Sequence, residues 1–231
     1  NKSYRLPQEP WIEAQRIVSR IMGRAPKEWS ARDEEGSVQY HQSLWDLPLE
    51  EGQWCIMART NRIANIYADM LREEGWIYSR HGHPSIPSKT FQAILDWEKL
   101  CKNEPIEIKA LRNIYNFMSS GVGFKRGFGA RSKMRWHQAL DKVDVESQNY
   151  ILNALKRGDN VKKPRIKVST IHSMKGGECD NVVVIPDLSP AAYHAYNNNP
   201  NIEHRVFYVA VTRTKQALHI MHPQTQKYYS I

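Results

Sequence analysis

The sequence predicts an α/β protein, a parallel sheet flanked by helices and interrupted by a small, basic, mainly helical insertion. Three observations predict it. Short apolar runs such as Trp54-Cys55-Ile56-Met57-Ala58 and Val182-Val183-Val184-Ile185 lack the alternation of half-exposed strands, as strands covered on both faces do. Segments with apolar residues at three- and four-residue spacing separate these runs. From about Pro84 to Lys163 the strand–helix–strand rhythm stops, and only helical patterns follow.

The elements follow in order. Glu9 to Gly23 reads as a helix, with Trp11, Ala14, Ile17, Val18 and Ile21 on one face and Pro10 suited to its first turn. Residues 25–37 are rich in Pro, Gly and acidic residues and read as a loop. Val38 to His41 is a possible strand, and Trp54 to Ala58 is a clearer one. Asn61 can cap the next helix, whose face is Ile63, Ile66, Tyr67, Met70 and Leu71, with Gly75 ending it. Trp76 to Ser79 reads as short and extended. Helical patterns span Thr90 to Lys102 and Ile106 to Met118, and two more follow a glycine-rich turn, reaching Lys156. Strands return at Ile166 to Ile171 and Val182 to Ile185. Leu188 to Asn201 reads as a loop, Glu203 to Arg213 as a helix and Ala217 to Met221 as a last strand. The implied division is 1–83 and 164–231 for the sheet domain and 84–163 for the insertion.

Lys and Arg number 33 against 24 Asp and Glu, a net charge of +9. Residues 84–163 hold fifteen of the cations and eight of the anions, a surplus of 7. A solvated face can carry such a surplus, but clustered cations also suit phosphate neutralisation and counterion release. Cys55, Cys101 and Cys179 are odd in number and widely spaced. They fit a reducing cytosol and form neither a disulfide framework nor a Cys-x-x-Cys zinc site. His81 and His83 lack a partner at ligand spacing, so no metal is expected on this chain. No apolar run reaches membrane-span length and no signal-peptide pattern opens the chain. The expected location is therefore cytoplasmic, on the nucleoid in a bacterial or phage setting, with no membrane partner. The start Asn1-Lys2-Ser3 lacks a methionine, as expected of a trimmed fragment.

Four segments carry candidate chemistry. Val168-Ser169-Thr170-Ile171-His172-Ser173-Met174-Lys175-Gly176-Gly177-Glu178 joins two apolar strands, which predicts polar groups at the carboxyl edge of a parallel sheet, where open α/β sheets bind ligands. Glu203 to Thr214 is a helix ending in Thr212-Arg213. Ser3-Tyr4-Arg5 precedes the first helix, and Ala58-Arg59-Thr60-Asn61 follows a strand. Taken singly, each has a plainer reading: a polar loop, a surface arginine for Arg213, a structural histidine for His172. Together and in this order they resemble the motifs of UvrD/Rep-like superfamily 1 DNA helicases. The first segment is similar to the family's Thr-x-His-x-x-Lys-Gly-Leu-Glu, with Gly177 in place of the leucine and Cys179 in place of the usual phenylalanine. The second is similar to Tyr-Val-Ala-x-Thr-Arg, the third to Asn-Tyr-Arg-Ser and the fourth to Arg-Thr-Asn.

The resemblance implies a RecA-like fold, domain 2A, carrying a shortened version of the family's helical 2B subdomain. It implies that Tyr4 stacks on adenine, that Arg5 and Arg213 reach the γ-phosphate, and that Glu178 with the Gly176 turn contacts the nucleotide sugar. Arg59, Asn61, Thr170 and His172 would meet the DNA backbone. In the insertion, Gly121 and Gly123 resemble the family's Gly-Ile/Val-Gly turn on duplex DNA, with Lys125 and Arg126 adding charge; an ordinary glycine-rich loop fits that stretch equally. ATP and Mg2+ are the implied cofactors, and single-stranded and duplex DNA the implied partners. No Gly-x-x-x-x-Gly-Lys-Ser/Thr loop occurs in the sequence, and Asp33-Glu34-Glu35 follows no apolar strand. The phosphate loop and the magnesium ligands are therefore expected in a missing N-terminal RecA-like domain of the same protein. Family habit implies 3′→5′ movement. Two rival classes are a non-enzymatic nucleic-acid-binding module and the helicase-like part of a recombination helicase-nuclease.

Overall fold

The computed structural model describes residues 6–25, 29–119 and 134–231. They fall into two compact units. The first comprises 1–70, 78–81 and 165–231, and the second 71–77 and 82–164.

The first unit is an α/β layer of the RecA-like type. Its elements are α1 (Gln8–Ser19), β1 (Ser37–His41), β2 (Trp54–Ala58), most of α2 (Asn61–Glu73), β3 (Tyr78–Arg80), β5 (Ile166–Thr170), β6 (Cys179–Val184), α7 (Pro190–Asn198), α8 (Pro200–Val211) and β7 (Thr214–Met221). Within this unit the strand order is β1-β7-β6-β2-β5-β3; β4 (His83–Pro84), of two residues, falls in the second unit. The other six pair in parallel. β2 lies centrally between β5 and β6, and all five of its residues are buried. Its unbroken apolar run is the signature of that position. One face is sealed by Leu6, Ile17, Phe207, Ala210, Val211 and Tyr229 packed on Cys55, Met57, Val182, Val184, Leu218 and Ile220.

Local chemistry sets the element ends, and it revises three expectations. α1 stops at Ser19 rather than Gly23. The cap of α2 is Thr60, whose Oγ1 accepts from Ile63 N at 3.4 Å, rather than Asn61; a cap side chain reaches two or three residues ahead, and Thr60 has that offset. The stretch read as a loop over Leu188 to Asn201 contains α7. Ser189 caps it by accepting from Ala192 N at 3.2 Å, and Pro190 occupies its first turn. Gly75 closes α2 at φ +75°, in the left-handed region glycine adopts without cost.

The second unit is helical: α3 (Ser88–Cys101), α4 (Ile108–Asn116), α5 (Trp136–Ala139) and α6 (Val145–Arg157). Trp97, Ile114, Trp136, Leu140, Tyr150 and Ile151 form its core. Asp144 caps α6 through Ser147 N at 2.8 Å, and Gly158 ends it at φ +77°. Among the described residues no helix is long and apolar enough to cross a membrane.

Candidate nucleotide and nucleic-acid site

In a parallel sheet every strand is entered from the same end, so connections sort residues onto two opposite edges. This corrects the expectation that the polar groups of the Val168 to Glu178 segment all lie at the carboxyl edge. Thr170 ends β5 at the carboxyl edge, with His172 just beyond it, whereas Gly176, Gly177 and Glu178 directly precede β6 at the amino edge. Residues 171–178 make the crossing with a single 3-10 turn, His172–Met174, in place of the usual crossover helix. Ile171 and Met174 are buried and anchor it in the core of the first unit.

The amino edge gathers residues distant in sequence. α8 descends from the carboxyl edge and delivers Arg213 immediately before β7. Its guanidinium donates from Nε to Val209 O at 3.0 Å, from Nη1 to Gly177 O at 3.2 Å and from Nη2 to Thr212 Oγ1 at 3.3 Å. Cys179 N donates to Arg213 O at 3.0 Å, so the two strand starts are locked together. Glu178 pairs with Lys215 Nζ at 3.2 Å, both partly exposed. Gly176 has φ +86° with open space around it, and a Cβ on Gly177 would come within 3.0 Å of Met174 Cε. The missing side chain at 177, where the family carries leucine, is thus matched by Met174 filling that space. Pro7 approaches Gln216 across Gly36, and the Arg32 guanidinium donates to Lys215 O, while Arg32 N donates to Leu6 O at 3.0 Å. The described residues that follow Tyr4 and Arg5 therefore lie beside the start of β7. Tyr4 and Arg5 themselves are outside the described residues, as are Gly121, Gly123, Lys125 and Arg126.

At the carboxyl edge, Thr170 and Ser173 form a closed turn: Thr170 Oγ1 donates to Ser173 Oγ at 3.1 Å, and Ser173 Oγ to Thr170 O at 2.9 Å. His172 is exposed beside them. Asn61 opens α2 and is exposed; its O and Oδ1 accept from Arg80 Nη2 at 3.2 and 3.3 Å. Arg59, expected at the DNA backbone, is partly buried and engaged within the fold. Its fork is taken bidentately by Glu203, Nε–Oε2 at 2.7 Å and Nη2–Oε1 at 2.8 Å, and Glu203 is only 1% exposed. A pair this buried costs about 3–5 kcal/mol when one partner is removed.

Sequence reasoning missed Glu203, Lys215 and Arg80. The first two lie within or beside the Glu203 to Thr214 segment, but only the fold pairs them with Arg59 and Glu178. It also missed an apolar crevice of about 590 Å3 at the carboxyl edge, lined by Leu44, Ile63, Ile66, Tyr67, Leu188 and Met221 among others. Burial pushes the Cys55 thiol up to about 12 and raises that of Cys179 as well. Among the described residues no group of three His, Cys, Asp or Glu could hold a metal. Among the described residues, the amino edge carries the arginine, lysine and carboxylate side chains of Arg213, Lys215 and Glu178.

Comparison with known proteins identifies the family. The UvrD-like helicase C-terminal domain family matches residues 89–225, more than half of the chain. Over 137 residues the chain is 28% identical to the ATP-dependent DNA helicase Rep of Buchnera aphidicola subsp. Schizaphis graminum (strain Sg). That match covers 58% of this chain and 20% of the helicase, so the matched region spans about a fifth of the relative's length.

Proposed function

Because this chain belongs to the UvrD-like helicase C-terminal domain family, we propose that it is the second motor half of an ATP-dependent DNA translocase that separates strands with 3′→5′ polarity. Its amino edge faces the nucleotide and its carboxyl edge faces single-stranded DNA. The observation that carries this reading is the contact between Arg213 Nη1 and Gly177 O at 3.2 Å, which unites two motif segments 36 residues apart. Charge accumulates on the γ-phosphate during phosphoryl transfer, and a supplied arginine is worth on the order of 10³–10⁵ in rate. Arg213 has the planar fork that spans two phosphate oxygens, which lysine lacks. Arg5 is the second such arginine, Tyr4 stacks on adenine, and Glu178 on the Gly176 turn accepts from the nucleotide sugar.

The phosphate loop and the magnesium ligands belong to a first RecA-like domain of the same protein. Magnesium, when bound there, neutralises phosphate charge; this chain's share is the arginine side of the cleft. On the other edge Thr170, His172 and Asn61 offer hydroxyl, imidazole and amide groups to phosphates, contacts that hold a strand without reading sequence. Residues 1–83 and 164–231 make up domain 2A. The helical part, 84–163, corresponds to a shortened 2B subdomain, where Gly121, Gly123, Lys125 and Arg126 touch duplex DNA.

The test is Arg213→Ala in the full-length protein. DNA-stimulated ATP hydrolysis should fall by roughly 10³-fold or more, while nucleotide binding, followed with a fluorescent ATP analogue, stays within a few-fold. Wild-type turnover in the variant removes Arg213 from its role.

A further inference from the structure

The two edges of the sheet are joined by two struts, and the struts are tied to each other at both ends. One strut is the crossing segment 171–178. The other is α8, whose 12 residues span ~18 Å at 1.5 Å per residue, about the height of the sheet. At the amino edge the tie is Arg213, bonded to Gly177 O and through its own carbonyl to Cys179 N. At the carboxyl edge the tie is the dipeptide Ala58-Arg59, where β2 ends. Ala58 O accepts from Ile171 N at 3.0 Å, where the crossing segment begins. The next residue, Arg59, holds Glu203 in the first turn of α8. The result is a closed frame with Thr170, His172 and Asn61 at one end and Glu178 and Arg213 at the other.

From this frame we infer that Arg59 and Glu203 are a positioning pair, through which the DNA edge sets the placement of Arg213 at the γ-phosphate. The inference rests on the reading proposed above and adds to it a residue, Glu203, and a changed role for Arg59. The bidentate geometry supports it, because a planar fork on a carboxylate fixes orientation as well as distance. So does the burial of Glu203, which removes competition from water. A helix is stiff, so a shift at Glu203 moves the end of α8 that carries Arg213. A displacement of about 1 Å at a reacting group costs on the order of 100-fold in rate.

The experiment compares ATP hydrolysis, with and without a DNA oligonucleotide, by the full-length wild type, Glu203→Gln, Glu203→Asp and the double variant Arg59→Met/Glu203→Leu. The double variant exchanges the ion pair for apolar side chains and leaves no orphaned charge, so it should fold. The expected result is a fall in DNA-stimulated kcat of roughly 10- to 100-fold in Glu203→Gln and in the double variant. KM for ATP and oligonucleotide Kd should stay within about threefold, and Glu203→Asp should recover part of the loss. A pair that merely stabilised the fold would lower Tm and the active fraction but leave stimulation per folded molecule intact. Wild-type kcat in a folded double variant overturns the inference, and so does a loss confined to oligonucleotide Kd. A wild-type protein that shows no DNA-stimulated hydrolysis overturns the helicase reading itself and this inference with it; the ratio of variant to wild type isolates the pair.

Discussion

Two adjacent glycines, 176 and 177, show how differently one residue type can be required. Gly176 sits at φ +86° with nothing within 4 Å of the position a Cβ would take. Its cost on substitution is therefore backbone strain alone, about 1–2 kcal/mol for alanine in the left-handed region. Gly177 has no such φ; alanine there meets the flexible end of Met174 at 3.0 Å, which can turn aside. Gly176→Ala should accordingly lower the stability of the chain by about 1–2 kcal/mol in a urea titration, and Gly177→Ala by less than about 1 kcal/mol. The reverse ranking contradicts the turn described here. The sequence announced a Lys-Gly-Gly turn but not which glycine carries the strain, because φ is not written in composition. Residue types also concealed the role of Arg59. An arginine after a strand near a polar cluster resembles a phosphate contact, and only the fold brings the buried carboxylate of Glu203 to it.

At the scale of elements, the central strands and the main helices were legible. β2 lies where its unbroken apolar run placed it, because a strand covered on both faces leaves no room for polar residues. α7 was not legible: none of its residues is fully buried, and its apolar face is a short one of Ala192, Tyr193 and Tyr196, only partly buried against the core. Its start signal, Ser189-Pro190, is present in the sequence. The pairing of β1 with β7 was beyond the sequence as well, and it creates a titratable contact. His41 Nε2 and His219 Nδ1 are 3.0 Å apart, and the His219 ring packs on Trp54 at 4.9 Å between centroids. His219 Nε2 is buried with no hydrogen-bond partner among the described residues. Burial first, and the neighbouring His41 second, push the His219 pKa down from 6.5 to about 4. Burial likewise lowers that of His41. A depressed folded-state pKa means that the unfolded chain binds the proton more readily as pH falls. The stabilisation is complete above about pH 6.5 and lost as pH approaches 4, amounting to roughly 3 kcal/mol. Tm should drop over that window, and His219→Phe should flatten the drop. An equal slope in the variant assigns the acid sensitivity elsewhere.

For the whole molecule, membership of the family was readable from the sequence, whereas the division of the described motif segments between two edges was not. The string from Val168 to Glu178 is continuous, and nothing in it announces that the chain crosses the sheet between His172 and Gly176. That follows from parallel pairing of β5 and β6 with β2, a long-range fact. On the function proposed above, the division gives the domain its design: one edge would meet a nucleotide held mainly by another domain, and the other a strand of nucleic acid. The 231-residue chain by itself should therefore show no DNA-stimulated ATP hydrolysis, as followed by phosphate release. Clear turnover by the purified chain would contradict the missing-half argument.

The two-edge arrangement can be tested most directly by photocrosslinking the full-length protein in a complex with two probes. One is an ATP analogue carrying an aryl azide on its γ-phosphate, and the other a single-stranded oligonucleotide containing 4-thiothymidine. Labelled peptides are then mapped by mass spectrometry. Within this chain, the nucleotide probe should mark 175–179 and 213–215, and the oligonucleotide should mark 59–61 and 170–173. Both probes on one set of peptides, or the two sets exchanged, would contradict the account.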